Sequence, residues 1–327
     1  MAIHYTLHIG SAGGGIASTP DRGETWNMSG GSVPPECTVR ALSAYPDDPH
    51  RILAGSDAGL FRSENNGLTY KLLDTPMGDL QIWSLTVDPH NEDILYSGTC
   101  PEAFRSTNGG KNWEKMSVPV EIPCPLGIPR TTNLIVDPRD SRTIWAGIEV
   151  GGVWKSLDRG DTWVQVSDLG DDPFHGDIHG MALRLGRNAQ VYCSTPFGLS
   201  SSTDEGESWN LHEFPKFNEN DSHSYCRGMI LKADDPDVIF VGNGDTIPGT
   251  VGAIRRTKDG GASWDTVSLP VVPNSLIYWL GTHIELPNVI VAVSLGGFIY
   301  LSEDGGETWD KLAKEFDEIR SVMVTPN

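Results

Sequence analysis

Two stretches of the chain, "HGDIHG" and "HSYCRG", carry imidazole, carboxylate and phenol groups at alternating positions. In an extended segment, side chains two residues apart point to the same side. If the two stretches begin neighbouring strands, their polar groups face one another. We therefore predict one shared site that contains His175, Asp177, His179, His223 and Tyr225.

This group of side chains is compatible with two kinds of chemistry. Neutral imidazoles and a carboxylate suit zinc, manganese or iron, so His175, Asp177, His179 and His223 are candidate ligands of a divalent metal. Without a metal, His175 or His179 could act as a general base and Tyr225 as an acid. A third interpretation is that these groups form the polar lining of a water-filled channel.

A second set of residues comes from segments that end in a V-x-P pattern. When these segments are aligned, one position holds Arg40, Trp83, Thr132, His179, Arg227 and Arg320, with Tyr278 near the same level. Arginine binds anions through two parallel hydrogen bonds. The pattern predicts a hydrolase or lyase that holds a small anionic molecule with Arg40, Trp83, Arg227, Tyr278 and Arg320. Alternatively, the arginines pair with acids of the same protein: Asp57, Glu102, Glu149 and Asp245.

The composition excludes several classes of partner. The chain has 327 residues, with 44 acidic and 24 basic side chains, and a formal charge of −20. That charge repels nucleic acids and anionic membranes. We find no apolar run of the roughly 20 residues that a membrane span requires and no secretory signal at the N-terminus. Five scattered cysteines fit a reducing compartment, so a cytoplasmic location is expected.

One phrase recurs seven times and organises the whole chain. Its consensus is [S/T]-x-[D/N]-x-G-x-[S/T/N]-[W/Y], and successive copies are 44, 43, 50, 46, 55 and 45 residues apart. The acid or amide can accept hydrogen bonds from turn amides, the glycine allows a positive φ, and the aromatic ring can anchor the next strand. Because a single active site does not need seven copies of one motif, we interpret the phrase as structural. The copies begin at Thr19, Ser63, Ser106, Ser156, Ser202, Thr257 and Ser302.

The segments around each copy alternate as strands do and suggest four strands per repeat. The first repeat lacks its inner strand, and "IRSVMVTPN" at the C-terminus matches that missing strand. A period near 45 residues is typical of propeller blades. The sequence therefore predicts an all-β, seven-bladed β-propeller, a single domain over 1–327, in which the last strand completes blade one.

The recurring phrase resembles the Asp-box, or BNR repeat. The chain is thus similar to the broad superfamily that contains sialidases, sortilin-type receptor domains, xyloglucan-active glycosidases and photosystem II assembly factors. The resemblance covers essentially the whole chain and implies the propeller fold. It does not select an activity, because these relatives perform unrelated functions on one scaffold. The chain has no match to the Phe-Arg-Ile-Pro signature of sialidases.

Two other functions are compatible with this fold. The first is a non-catalytic binding or assembly-factor module that recognises a protein or peptide. The second is a glycoside hydrolase, which needs two carboxyl groups about 5 to 9.5 Å apart. Glu149 together with Asp57 or Asp245 could supply that pair.

Overall fold

The computed structural model describes residues 4–120, 127–166, 168–186 and 189–327. In this part of the chain, 29 strands and one short 3₁₀ helix, η1 (Pro173–Gly176), are present. None of the helical residues described there forms a segment long and apolar enough to cross a membrane. The four described cysteines, Cys37, Cys100, Cys193 and Cys226, are free thiols.

The strands form seven sheets, which are the blades of a propeller. Blade one contains β1 (Tyr5–Ser11), β2 (Ile16–Thr19), β3 (Asn27–Met28) and β29 (Ile319–Pro326). Blade two contains β4 (Gly30–Gly31), β5 (Val39–Ala44), β6 (Ile52–Ser56), β7 (Gly59–Ser63) and β8 (Thr69–Leu72). Blade three contains β9 (Gln81–Val87), β10 (Leu95–Cys100), β11 (Ala103–Ser106) and β12 (Glu114–Met116). Blade four contains β13 (Thr131–Val136), β14 (Ile144–Ile148), β15 (Gly152–Ser156) and β16 (Val164–Gln165).

The remaining three blades follow the same order. Blade five contains β17 (Gly180–Arg184), β18 (Gln190–Thr195), β19 (Gly198–Ser202) and β20 (Asn210–His212). Blade six contains β21 (Tyr225–Lys232), β22 (Asp235–Gly244), β23 (Gly252–Thr257) and β24 (Asp265–Thr266). Blade seven contains β25 (Ile277–His283), β26 (Leu286–Ser294), β27 (Ile299–Ser302) and β28 (Asp310–Lys311).

The core lies between neighbouring blades. The middle strand β26 is covered on both faces: Val289 and Val291 on one face and Ile290 and Ala292 on the other have no solvent exposure. A strand buried on both faces is expected to be a continuous apolar run, as "VIVAVS" is. The inner strands contact one another in succession around the ring, from β29 through β5, β9, β13, β17, β21 and β25 and back to β29.

The ring is closed by strands from both ends of the chain. β29 pairs antiparallel with β1, with Leu7 opposite Val324 and Ile9 opposite Val322. These side chains are buried in a cluster that also includes Ile319 and strands of blade seven. The prediction that the C-terminal strand completes blade one is therefore confirmed. Closure pairs two strand edges that would otherwise be exposed.

The recurring phrase forms a locked turn at the outer part of each blade. In blade four, Asp158 accepts hydrogen bonds from Ser156 Oγ at 2.7 Å and from Thr162 N at 2.8 Å. Gly160 adopts φ +93°, and the indole Nε1 of Trp163 donates to its carbonyl oxygen at 3.0 Å. These groups form their hydrogen bonds within the turn, which agrees with the structural interpretation of the motif.

Blade two has a fifth strand that the repeat pattern does not predict. β4 runs parallel to the outer strand β8, with Gly30 opposite Thr69 and Gly31 opposite Tyr70. Gly31 has φ +97°, and an added Cβ would lie 2.1 Å from the Tyr70 carbonyl oxygen. Glycine is therefore required where the two backbones meet.

The variant Ile319→Ala tests how much the C-terminal strand contributes to the stability of the closed ring. The Ile319 side chain is fully buried between blades seven and one, so Ile319→Ala should lower the free energy of unfolding by about 2–5 kcal/mol. Met28→Ala is the control, because Met28 is 61% exposed and such surface changes stay within about 0.5 kcal/mol. Urea denaturation measures both. Equal effects would mean that β29 is not part of the cooperative core.

The variant Asp158→Asn tests whether the hydrogen bonds of the recurring turn stabilise the folded protein in a pH-dependent way. Hydrogen bonds from Thr162 and Ser156 lower the pKa of Asp158 from 3.8 to about 2. A carboxyl whose pKa is lower in the folded state stabilises it above the unfolded pKa, and this contribution disappears as pH falls to the folded pKa. Asp158→Asn should therefore weaken the loss of thermal stability between about pH 3.8 and 2. Asp47→Asn, at an exposed position, is the control and should leave that loss unchanged.

Candidate functional site

A cavity of about 610 Å³ opens where the segments that lead into the inner strands converge. Six blades contribute side chains to its wall, and most of these side chains are arginines, aromatic rings or carboxylates. The lining residues include Arg40, Gln81, Trp83, Arg130, Glu149, Phe174, Asp177, Phe197, His223, Tyr225, Arg227 and Arg320. The fold thus brings most of the sequence-predicted site residues together.

Trp83 of β9 stands in the middle of the arginines. The guanidinium carbons of Arg40, Arg130 and Arg227 lie 5.2, 4.8 and 6.0 Å from its ring centre. The indole Nε1 donates to Gln81 Oε1 at 3.2 Å. Cations at these distances are attracted to the face of an indole ring, so Trp83 fixes the positions of the surrounding arginines.

Arg130 and Glu149 form an ion pair in the cavity wall that the sequence analysis did not select. Arg130 Nη1 donates to both carboxylate oxygens of Glu149, and Glu149 is 3% exposed. The alignment chose Thr132 instead, which is buried and whose Oγ1 donates to the Ile178 carbonyl oxygen at 2.5 Å. Residues 130 and 132 are two apart, so period-two alternation could have identified Arg130 as well.

Two further arginines also have partners in the protein. Arg40 Nη1 lies 3.3 Å from Asp57 Oδ2, and Arg320 is paired with Glu318. Burial raises the pKa of Asp57, but the hydrogen bond from Thr38 N and the charge of Arg40 outweigh it and lower the pKa overall. The alternative of internal pairing is therefore realised for Arg40, as the sequence analysis considered.

The other acids proposed for internal pairing have local partners. Glu102 is paired with Lys115, and Asp245 accepts hydrogen bonds from Thr250 N and Thr250 Oγ1 within its own loop. Neither Asp57 nor Asp245 lines the cavity, whereas Glu149 does. Of the carboxylates considered for a glycoside hydrolase, the structure thus places only Glu149 in the cavity wall, which Asp177 also lines.

Arg227 differs from the other cavity arginines. It is 5% exposed, and no described carboxylate forms an ion pair with it. Its Nη2 donates to Tyr278 Oη at 3.4 Å, and Arg320 Nη1 donates to the same oxygen at 3.3 Å. Burial raises the pKa of Tyr278, but the positive charges of Arg227 and Arg320 outweigh it, so the pKa lies below its usual value. The Tyr278 hydroxyl oxygen thus accepts hydrogen bonds from two arginines that line the cavity.

His179 is the centre of a buried polar network just before β17. Its Nδ1 lies 2.7 Å from the Cys226 carbonyl oxygen. Its Nε2 lies 3.1 Å from Asp177 Oδ2 and 3.1 Å from Tyr225 Oη. His179 and Asp177 are 1% and 2% exposed. Burial raises the pKa of Asp177, but the charge and hydrogen bond of His179 outweigh it and lower the pKa overall.

The proposed metal ligands His175, Asp177, His179 and His223 do not form one group. His175 lies in the 3₁₀ helix η1 rather than in an extended segment, so the predicted alternation fails there. The Phe197 ring lies against both His175 and His223, with centroids at 4.6 and 5.0 Å. Among residues 4–120, 127–166, 168–186 and 189–327, no group of three potential ligands could hold a metal ion. The expected metal cluster is not assembled.

Comparison with characterised proteins supports the fold assignment. No protein-family model matches the chain. A xyloglucanase of Paenibacillus sp is 24% identical over 84% of this chain and 33% of that protein. Xyloglucanase Xgh74A of Acetivibrio thermocellus is 38% identical over 77% of this chain and 36% of that protein. The photosystem II assembly lipoprotein Ycf48 of Synechococcus sp is 21% identical over 82% of this chain and 73% of that protein.

Solved structures with the same architecture include a GH74 enzyme of Niastella koreensis, with a TM-score of 0.63 and 17% identity over 84% of this chain and 45% of that one. Ycf48 of Cyanidioschyzon merolae has a TM-score of 0.62 and 15% identity over 86% of this chain and 87% of that one. The chain is a seven-bladed Asp-box β-propeller that is similar to xyloglucanases, a sialidase and Ycf48 propellers. This Asp-box propeller spans about a third of the length of the curated xyloglucanases that it matches.

These relatives correct the expected ligand. Xyloglucanases act on a polysaccharide, so the expectation that this Asp-box propeller takes a small anionic molecule is wrong. The structure gives a physical reason why the arginines do not indicate an anion-binding site. Arg40, Arg130 and Arg320 are neutralised by Asp57, Glu149 and Glu318, so most of the positive charge at the cavity is already paired. The lyase prediction has no support among these relatives.

Proposed function

We propose that this Asp-box propeller binds a polysaccharide of the xyloglucan class at the cavity and hydrolyses it as a glycoside hydrolase. The observation that carries the proposal is the similarity to xyloglucanases over most of this chain. The cavity is chemically suited to such a ligand. Its aromatic walls can pack against the C–H faces of sugar rings, and its arginine, glutamine and carboxylate groups can hydrogen-bond to sugar hydroxyls.

Glycoside hydrolysis requires a carboxylate that activates water or bonds to the sugar, and a group that protonates the departing oxygen. Glu149 is assigned to the first role, because Arg130 pairs with both of its oxygens and holds the carboxylate in a fixed position. It also lines the same cavity as Trp83. In the proposed reaction, a sugar ring lies against Trp83 and Glu149 acts on the adjacent glycosidic carbon or on the attacking water.

Glu149→Gln tests the cleavage step. The amide keeps the size of the side chain but cannot serve as base or nucleophile, so release of reducing ends from xyloglucan should fall by about 10²-fold or more. Affinity electrophoresis in xyloglucan gels should show retained binding. The matched control is Glu207→Gln at an exposed recurring-motif position. If wild-type protein releases reducing ends and Glu149→Gln releases them equally fast, Glu149 is not the acting carboxylate.

Trp83→Ala tests the binding step separately. Loss of a central aromatic contact should weaken retention in xyloglucan gels by about 10-fold or more. Trp154→Ala is the control, because Trp154 is a partly buried tryptophan outside this cavity. Circular dichroism verifies that both variants are folded. If wild-type protein neither binds nor cleaves xyloglucan, the proposed function is rejected.

A second candidate is a non-catalytic module that binds a peptide at the same cavity. The observation that favours it is the match to Ycf48, because the chain covers 87% of a Ycf48 structure and 45% of the GH74 structure. One matching structure is Ycf48 bound to D1 peptide. A peptide module would show neither retention by xyloglucan nor release of reducing ends, so the two measurements above also separate the candidates.

A further inference from the structure

The outer part of blade four carries two exposed aliphatic side chains that the other blades lack. Leu157 is 66% exposed and Val164 is 71% exposed. In the other six copies of the recurring motif, the position of Leu157 holds one proline and five polar or charged residues. The position of Val164, directly after the motif, is polar or charged in all six. Because the turn forms in those copies without leucine or valine, the fold does not require the aliphatic pair.

The aliphatic pair lines a groove of about 550 Å³ between the outer parts of blades four and five. Val164 is opposite Lys155 in the pairing of β16 with β15, and directly opposite residues share one face of a sheet. Val166, two residues after Val164, lies on the same face and also lines the groove. Glu205 and Glu207 of the blade-five motif form the other wall. The groove and the cavity share none of their described lining residues.

The groove runs beside an open strand edge. Among the described residues, β16 is the last strand of its sheet and pairs with β15 alone. Val166 N donates to the Val153 carbonyl oxygen at 3.0 Å. Residues of an antiparallel strand alternate between bonding to the partner strand and pointing away from it. The N–H and C=O groups of Gln165 therefore point towards the open edge.

Blade two shows that an extended segment fits this edge. There β8 follows the second copy of the motif, as β16 follows the fourth, and β4 lies beside β8 as an added parallel strand. Ser32 N donates to the Tyr70 carbonyl oxygen at 2.9 Å. The equivalent carbonyl in blade four is that of Trp163, and no described backbone N–H donates to it. A strand added there would direct every second side chain towards the groove.

The charge and the size of the groove favour a short basic segment over a second copy of the chain. Glu205 is paired with Lys155 and Arg139, whereas no described cation forms an ion pair with Glu207. A formal charge of −20 repels another copy of the chain and attracts basic segments. Nine described residues line the groove, and a stable interface between folded proteins takes about 20–30 residues on each side.

We propose that the groove is a docking site for an extended basic segment of a partner protein, which pairs with β16 as an added strand. Alternate apolar side chains of the segment contact Leu157 and Val164, and a lysine or arginine pairs with Glu207. In this mode of recognition, backbone hydrogen bonds supply affinity and side-chain pockets supply selectivity. Because the groove is separate from the cavity, the docking site is independent of the proposed hydrolysis.

Titration of a labelled peptide tests the docking site. The probe is fluorescein-labelled Lys-Val-Thr-Val-Thr-Val-Lys, and fluorescence anisotropy measures its binding to the full chain at low salt. The double variant Leu157→Thr, Val164→Asn carries the residue types of the fifth motif copy, so it should fold normally by circular dichroism but bind the probe about 10-fold or more weakly. Glu207→Lys should weaken binding by about 3-fold or more. Val272→Asn is the matched control, because Val272 is 68% exposed and lies outside the groove.

Backbone-modified probes test the strand pairing. Alternate N–H groups of an extended peptide point to opposite edges, so one probe is N-methylated on its valines and the other on its threonines. One of the two should lose about 10-fold or more in affinity, while the other keeps it. Equal binding of both probes overturns the added strand, and equal binding of the unmodified probe to the wild type and the double variant, or no binding to either, overturns the docking site. Sedimentation velocity should show a monomer; a dimer that the double variant abolishes would make a second copy the occupant and overturn the proposed partner.

Discussion

Every part of the candidate site depends on the pairing of β29 with β1. This pairing closes the ring, and a closed ring lets inner strands from distant parts of the chain share one cavity. The hydrogen bond from Ser321 Oγ to the Val39 carbonyl oxygen, at 3.0 Å, joins residues 282 positions apart. This hydrogen bond links the inner strand of blade one, which carries Arg320, to the inner strand of blade two, which carries Arg40. Without closure, the cavity would lose this side, and two strand edges would be exposed to other chains.

Most of the charged side chains in the cavity wall are paired with a side chain of opposite charge. Three of the four arginines are paired with carboxylates, and Arg227 shares the Tyr278 hydroxyl with Arg320. Burying an unpaired charge costs several kcal/mol, so the fold neutralises most of these groups internally. The resulting wall is polar and carries little net charge for a free anion to pair with. In the same wall, His179 Nε2 lies within hydrogen-bonding distance of Asp177 Oδ2 and Tyr225 Oη.

The scaffold and the site have separate physical requirements. The recurring motif satisfies its own hydrogen bonds at the outer turns, as Asp158 does with Ser156 and Thr162. The cavity is formed instead by segments that vary between repeats, such as the one that contains η1. Relatives with one architecture can therefore differ in activity. The similarity to xyloglucanases carries the functional proposal, and the cavity residues are the candidates for its chemistry.

From the sequence alone, the seven repeats, the missing inner strand and its C-terminal replacement could be predicted, because spacing and alternation are local properties of the chain. Alignment of the V-x-P strand ends predicted Arg40, Trp83, Arg227 and Arg320, and alternation predicted Tyr225; all five side chains line the cavity. Alternation failed for His175, because Pro173–Gly176 form a 3₁₀ helix and period-two alternation does not apply to a helical turn. Only the tertiary structure decided that Arg130 pairs with Glu149 and that Phe197 lies between His175 and His223. Such pairings depend on distances between segments far apart in the chain, which a sequence pattern does not contain.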